Sequence, residues 1–241
     1  MVKYEFIDKA VYFPKEKILA IGDMHLGHEF TYRQSGSEIP STQVKETKED
    51  LEKIFKKLKK QKKQLNKVIF LGDIKHFFSY KKGEKNIILE VLLLVGKYVK
   101  RENIILIKGN HEKMGNIADK ELKEYYSEGN IIFIHGDEPI FQISDKKINT
   151  IVMGHLHPAI TLSDSQKVKS EKYKCFLTGK YQGKETIILP SFLPGIEGTS
   201  INQYLSDSHC IIPMKKLYEF KVHAIGEKEV LNFGTLKKLI E

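Results

Sequence analysis

Cysteine is almost missing from this chain. Cys175 and Cys210 are the only two in 241 residues. That is too few for a disulfide framework, and they lack the spacing of a structural zinc site, so both read as free thiols in or near a core. No apolar stretch approaches the roughly 18–20 residues that cross a bilayer, so no membrane partner is expected. The opening run Met1-Val2-Lys3-Tyr4-Glu5-Phe6 carries early charges and no signal-peptide core, and the expectation is a cytoplasmic protein. Linkers and internal repeats are absent too. Residues 1–241 are expected to form one domain, long enough for a large α/β core. Finally, no Ser or Cys is placed as a covalent nucleophile.

Acidic residues are in the minority, with 31 Asp+Glu against 40 Lys+Arg and a formal net charge of +9. An excess of this sign suits a polyanionic partner such as DNA or RNA. Almost all of these cations are Lys, many mixed with Glu on expected helix surfaces. A solvated face or a thermophile-type surface has the same pattern.

What the chain does have is a series of apolar runs that end alike. Val68-Ile69-Phe70-Leu71 reads as a buried parallel strand and ends in Gly72-Asp73-Ile74-Lys75-His76. Asp73 is thereby expected just beyond a strand's carboxyl end, where open α/β sheets place their ligand crevice. With two oxygens, a carboxylate there can serve two metal ions. Lys17-Ile18-Leu19-Ala20-Ile21 ends in Gly22-Asp23-Met24-His25, followed by Gly27-His28-Glu29. Ile104-Ile105-Leu106-Ile107 ends in Lys108-Gly109-Asn110-His111-Glu112. Ile131-Ile132-Phe133-Ile134 ends in His135-Gly136-Asp137, and Thr150-Ile151-Val152-Met153 in Gly154-His155-Leu156-His157-Pro158.

Between these runs the pattern predicts helices at 44–63 and 84–100 and a short one at 116–127. In the first, Leu51, Ile54, Phe55 and Leu58 share a face, and Thr47-Lys48-Glu49-Asp50 resembles a capping box at the helix start. Residues 30–43 read as a polar loop near the site. The alternation of strand and helix predicts a parallel sheet with covered faces. After Pro158 the pattern changes. Segments 174–181 and 184–190 flank Gln182-Gly183 as a hairpin, further short strands are expected at 218–225 and 230–233, and a mainly antiparallel sheet should pack on the first.

Asp23, His25, Asp73, Asn110, His111, His135, His155 and His157 thus collect at strand ends. Carboxylates, imidazoles and one amide, without thiolate, suit Mn, Fe, Zn or Ni. The glycines at 22, 72, 109 and 154 would let the backbone turn sharply and approach the ions. Any one of these motifs is commonplace; five in succession are not.

In this order the motifs resemble the calcineurin-like metallophosphoesterase superfamily: Asp23-x-His25, Gly72-Asp73-x-x-His76, Gly109-Asn110-His111-Glu112, His135 and Gly154-His155-x-His157. The tail Ile188-Leu189-Pro190-Ser191-Phe192, with Glu197-Gly198-Thr199 and Asn202, also resembles the ICC-like microbial phosphoesterase branch. The resemblance implies a four-layer αββα sandwich with two central mixed sheets and two divalent metal ions, Mn first and Zn, Fe or Ni as alternatives. It implies that Asp23, His25, Asp73 and His157 hold one ion, and Asp73, Asn110, His135 and His155 the other. His111 falls at the position that contacts the scissile phosphate and protonates the leaving group. His76 departs from the usual Asn or Asp in its slot. Phosphate contact, second proton donor and orientation of Glu112 or Asp23 are all open to it, as phosphate contact or a surface place is to His28.

The implied reaction is phosphodiester hydrolysis, with a nuclease as one form. Ions about 3.5–4 Å apart would clamp the phosphoryl oxygens, a bridging hydroxide would attack, and His111 would act as general acid. The alternative is a phosphomonoesterase acting on nucleotides or phosphoproteins. A non-catalytic scaffold ranks below both, because every ligand position and His111 are kept.

Overall fold

A computed structural model describes residues 2–30, 42–77, 84–113, 115–164, 168–203 and 210–240. The polar stretch expected as a loop at 30–43 lies almost wholly outside them. Two mixed sheets form the centre. In the first sheet, β1 (Glu5–Ile7), β2 (Ala10–Phe13) and β3 (Ile18–Ile21) run antiparallel. To β3 are added, in parallel, β4 (Lys67–Phe70), β5 (Ile104–Ile107) and β7 (Lys120–Lys123), and β6 (Asn116–Ile117) closes the edge.

The second sheet follows the order β14-β11-β12-β13-β10-β9-β8. Its strands are β8 (Tyr125–Glu128), β9 (Ile131–Ile134), β10 (Thr150–Met153), β11 (Pro158–Ser163), β12 (Ser170–Tyr181), β13 (Lys184–Ile188) and β14 (Thr199–Ser200). β9, β10 and β13 are parallel, and most other pairings are antiparallel. β15 (Lys221–Ile225) and β16 (Val230–Thr235) extend it from β12. The five motif-bearing strands therefore divide three and two between sheets, where the sequence pattern suggested one.

Both faces of both sheets are covered, which explains the unbroken apolar runs. Between the sheets, Val11, Phe13, Ile18, Ile69 and Ile105 meet Ile131, Phe133, Val152, Phe176 and Ile187. Alternate residues of the same strands face outward. Leu19, Ile21, Val68, Phe70 and Leu106 pack beneath the helices α1 (Gln43–Lys60) and α2 (Glu84–Val95). Beyond the second sheet the fourth layer is thin among the described residues. It consists of turns at Phe141–Ser144 and Leu236–Leu239 and the short helix α3 (Met214–Leu217), which cover Ile132, Ile134, Ile151 and Leu177. No helix among the described residues is long and apolar enough to cross a membrane.

Three local expectations need correction. The segment 116–127 is not helical but forms β6, β7 and the start of β8. Ala118 and Asp119 are both left-handed (φ 49° and 60°), a two-residue turn that reverses the chain and cannot continue a helix. Thr47 lies a turn inside α1 and is buried, so it does not cap the helix. Finally, α2 stops at Val95, after which Lys97 and Tyr98 tighten into i→i+3 bonds with Leu94 and Val95. By contrast, the hairpin turn at Gln182-Gly183 is present, with both residues left-handed (φ 49° and 76°).

The interface between the sheets is the part of the core that the site stands on. Phe133 is fully buried and meets Phe13 edge-to-face at 5.6 Å. Phe133→Ala should cost about 3–5 kcal/mol, from lost burial plus a cavity that the facing sheet cannot close. Urea unfolding should show a lower midpoint with an unchanged slope.

Candidate metal centre

The parallel strands of both sheets deliver their carboxyl ends to one edge. β3 leads to Asp23 and His25, β4 to Asp73, β5 to Asn110 and His111, β9 to His135, and β10 to His155 and His157. The first two loops are tied together directly: the amides of Met24 and His25 donate to Asp73 O (3.1 and 2.8 Å), and Leu26 N to Ile74 O. Four residues of the cluster are themselves left-handed: His25 (φ 44°), Asp73 (44°), His155 (65°) and His157 (45°). Such backbone is unfavourable for non-glycine residues and concentrates at functional sites.

The glycines serve mainly another purpose. Of Gly22, Gly72, Gly109 and Gly154, only Gly72 has a positive φ (96°). A Cβ on Gly109 would strike the Asp73 carboxylate, and one on Gly154 the Asp23 carboxylate. These positions are small because the acids pass over them.

The side chains converge in overlapping groups whose ligand atoms lie within 4.8 Å of one another: Asp23, His25, Asp73 and His157; Asp73, His135 and His155; and His25, His76 and His111. His157 Nε2 is 3.3 Å from Asp23 Oδ1 and 3.1 Å from His25 Nε2. On the other side, His135 Nε2 is 3.5 Å from Asp73 Oδ2 and 3.1 Å from both Asn110 Oδ1 and His155 Nδ1. Asp73 sits between the two sides, with His25 Nε2 and His111 Nε2 each 3.8 Å from its Oδ2.

The donors fit a cation. Asp23 and Asp73 are 0% and 2% exposed. Bare ring nitrogens 3.1 Å apart set lone pair against lone pair unless a proton or a metal ion lies between them. Burial disfavours a charged His135, yet its hydrogen bond to Asp73 and the charges of Asp23 and Asp73 outweigh that and push its pKa up to about 10. Burial likewise opposes ionisation of Asp23, but His157, through charge and hydrogen bond, with His135 and His25, holds the carboxyl well below the usual range. Positive charge is what this pocket calls for, and its carboxylate, imidazole and amide donors suit a divalent first-row metal.

Supporting contacts came from residues the sequence pattern did not single out for this purpose. Glu112, 1% exposed, accepts the amides of Asp73 (3.0 Å), Lys75 (3.1 Å) and Gly109 (2.8 Å), and so clamps the β4 and β5 loops together. Burial, and then the Asp73 charge, push its pKa up to about 7 against those hydrogen bonds. Lys75 Nζ donates to His111 O at 2.8 Å, and His111 Nδ1 donates to His76 O. With its Nδ1 so engaged, His111 presents Nε2 to the cluster. The His76 ring lies 5.6 Å from His25, 5.5 Å from His111 and 4.5 Å from His28 between centroids, so all four imidazoles line one rim. Gln43 Nε2 donates to His25 O at 2.8 Å.

The Ser191–Leu193 segment acts as a strap beneath Asp23. Phe192 N donates to Asp23 O at 2.7 Å. Two lysines hold the strap: Lys174 donates to Ser191 O, Ser191 Oγ and Leu193 O (2.8, 2.9 and 2.7 Å), and Lys9 to Phe192 O at 3.0 Å. Burial, and then the nearby Lys9, push the Lys174 pKa down to about 7. Glu112 was visible beside His111. Nothing local in the sequence marks Lys174, whose partners lie 17 and 19 residues away on another segment.

Two mixed sheets that gather buried Asp and His side chains at their common edge, with the more exposed Asn110 beside them, have the build of a metal-dependent phosphoester hydrolase. Comparison with known proteins gives the same class. The model of the calcineurin-like phosphoesterase family matches residues 16–207, and the chain belongs to that family. No curated protein matches. Among solved structures, the chain is similar to Pseudomonas putida nuclease MPE (17% identity, TM-score 0.60), covering 95% of this chain and 100% of that one. Lower-scoring similarities are to Entamoeba histolytica Vps29 complexed with Zn2+ (15% identity, TM-score 0.35, covering 89% and 96%) and to a Streptococcus pneumoniae protein described as a predicted phosphoesterase (13%, 0.33, covering 95% and 99%).

Proposed function

We propose that this phosphoesterase cleaves phosphodiesters, with nucleic acid as the substrate class, and that its cluster holds two divalent ions. Asp23, His25, Asp73 and His157 would take one and Asp73, Asn110, His135 and His155 the other, with manganese the first choice. The observation that carries this reading is the position of Asp73 between two groups of donors, each with its own set of imidazoles. When bound, such ions polarise phosphoryl oxygens and acidify water.

The chain's own part is orientation and proton transfer. Asp73 accepts His111 N at 3.0 Å, so one residue fixes both the donor groups and the histidine above them. In its doubly protonated form His111, anchored through Nδ1–H, would direct Nε2–H to where the leaving oxygen departs, give that oxygen its proton and be left neutral. His76 faces the same space and would contact the phosphate as a second donor. A ring nitrogen of His76 comes within 4.8 Å of those of His25 and His111, close enough to share one phosphate oxygen with them. A diester suits this rim because it brings a bulky second substituent and one charge rather than nearly two. The net charge of +9 and the nuclease activity named for the P. putida protein also support the choice of nucleic acid.

The test uses metal-loaded His111→Ala protein, so that binding is measured without turnover. Affinity for a 20-nucleotide strand should fall by about 0.7–0.9 in log K per phosphate neutralised for each unit of log salt. Wild type should hydrolyse a bis-aryl phosphodiester faster than an aryl monoester. A flat salt dependence combined with the reverse preference would make the protein a phosphomonoesterase.

A further inference from the structure

Helix α2 is apolar around most of its circumference, from Ile87 and Ile88 to Leu94 and Val95, and helices of that kind are normally covered on every side. Ile88, Val91, Leu94 and Val95 are buried in the core, but Leu93 is 70% exposed. Beside it lies a cleft of about 300 Å3, floored by Leu89, Leu92, Leu93, Ile104 and Ala118. Gly96 continues the Leu89–Leu92–Leu93 row without filling the cleft, since a Cβ there would approach only the helix carbonyls of Leu92 and Leu93.

The rim is of one sign. Lys97, Arg101 and Lys120 line the cleft, and no carboxylate does among the described residues. Arg101 is one of only two arginines in the chain. Lys120 Nζ donates to Arg101 O at 2.8 Å and Arg101 Nη2 to Ala118 O at 3.4 Å, so the cations are held at the edge rather than waving in solvent. Burial, and then the neighbouring Arg101, push the Lys120 pKa down, as expected for crowded cations. The cleft lies at the Ile104 end of β5, opposite the end that delivers Asn110, so an occupant would leave the metal centre open.

We propose that this cleft docks a segment of a partner protein that carries one or two leucine-like side chains flanked by carboxylates. Apolar anchors fill the floor, and Arg101 offers a planar fork for a bidentate carboxylate. Charge complementarity decides between occupants. A second copy meeting the cleft through the same face would set three cations against three cations. Nucleic acid would match the rim but leave the leucine floor unused.

The experiment is selection of a displayed 12-residue peptide library on the full-length protein, with counter-selection on Leu93→Asp. Selected peptides are then measured by fluorescence anisotropy against wild type, Leu93→Asp and Arg101→Glu. Leu93 and Arg101 are exposed, so both variants should fold and should hydrolyse a bis-aryl phosphodiester at the wild-type rate. Enriched peptides should combine Leu, Ile or Phe with Asp or Glu, and each substitution should weaken binding about tenfold or more. The proposal is overturned if no sequence survives counter-selection, if the survivors lack acidic residues, if neither substitution weakens binding, or if a 20-nucleotide strand displaces the peptide.

Discussion

Replacing Asp73 by Asn should remove activity almost completely, by about 10³-fold or more, while the protein stays folded. The expected loss follows from position. Asp73 is the one carboxylate shared by both donor groups. An amide offers one accepting oxygen where the carboxylate offers two, and no negative charge. Losing several kcal/mol of charge stabilisation at a rate of 1.36 kcal/mol per tenfold gives the stated size. Folding should survive because Asn tolerates the left-handed conformation that Asp73 adopts (φ 44°), and its oxygen can still accept His111 N. Calorimetric titration with Mn2+ should show both binding events weakened together. Asn110→Ala, which touches one group only, should weaken mainly one of them. Two ions bound with near-normal affinity by Asp73→Asn would remove Asp73 from the shared position.

The second large effect is expected at His111, and it differs in kind. His111→Ala should retain the metal stoichiometry and lose about 10²–10⁴-fold in rate on a substrate with an alkoxide leaving group. The geometry separates the two functions. His111 stands outside the two donor groups that share Asp73, and its Nδ1 is spent on His76 O, so Nε2 is the nitrogen left to give a proton. A nitrophenolate departs without needing a proton, so the loss should shrink on an aryl substrate. An equal loss on both substrates would rule out proton donation and leave phosphate positioning as the role of His111.

The residues of the centre were legible because each follows its own apolar run within a few positions. A strand buried on both faces announces itself locally, as Ile104–Ile107 and Ile131–Ile134 do, and the motif is simply what comes next. Which strands pair is not local information. Ile131 and Ile105 look alike in sequence but lie in different sheets and meet face to face across the core. The error at 116–127 has a similar origin. Leu122 is the lone buried residue of β7, and its charged neighbours fit a helix surface as well as a strand edge. The turn that decides the matter rests on Ala118 and Asp119, neither of which advertises a left-handed conformation.

The same limit applies inside the site. The sequence pattern assigns the tight turns to glycines, whereas the left-handed backbone belongs mainly to His25, Asp73, His155 and His157 themselves. The strap over residues 191–193 and its lysines are long-range devices, joining Asp23 to a segment almost 170 residues later. Periodicity and spacing carry no trace of such contacts.

Removal and return of metal tests the central claim most directly. Protein stripped with a chelator should not hydrolyse a bis-aryl phosphodiester, and Mn2+ should restore the rate as the ions bind, with saturation near two per chain. Full activity in the stripped protein, or none on addition of Mn2+, Zn2+, Fe2+ or Ni2+ in turn, would contradict the account.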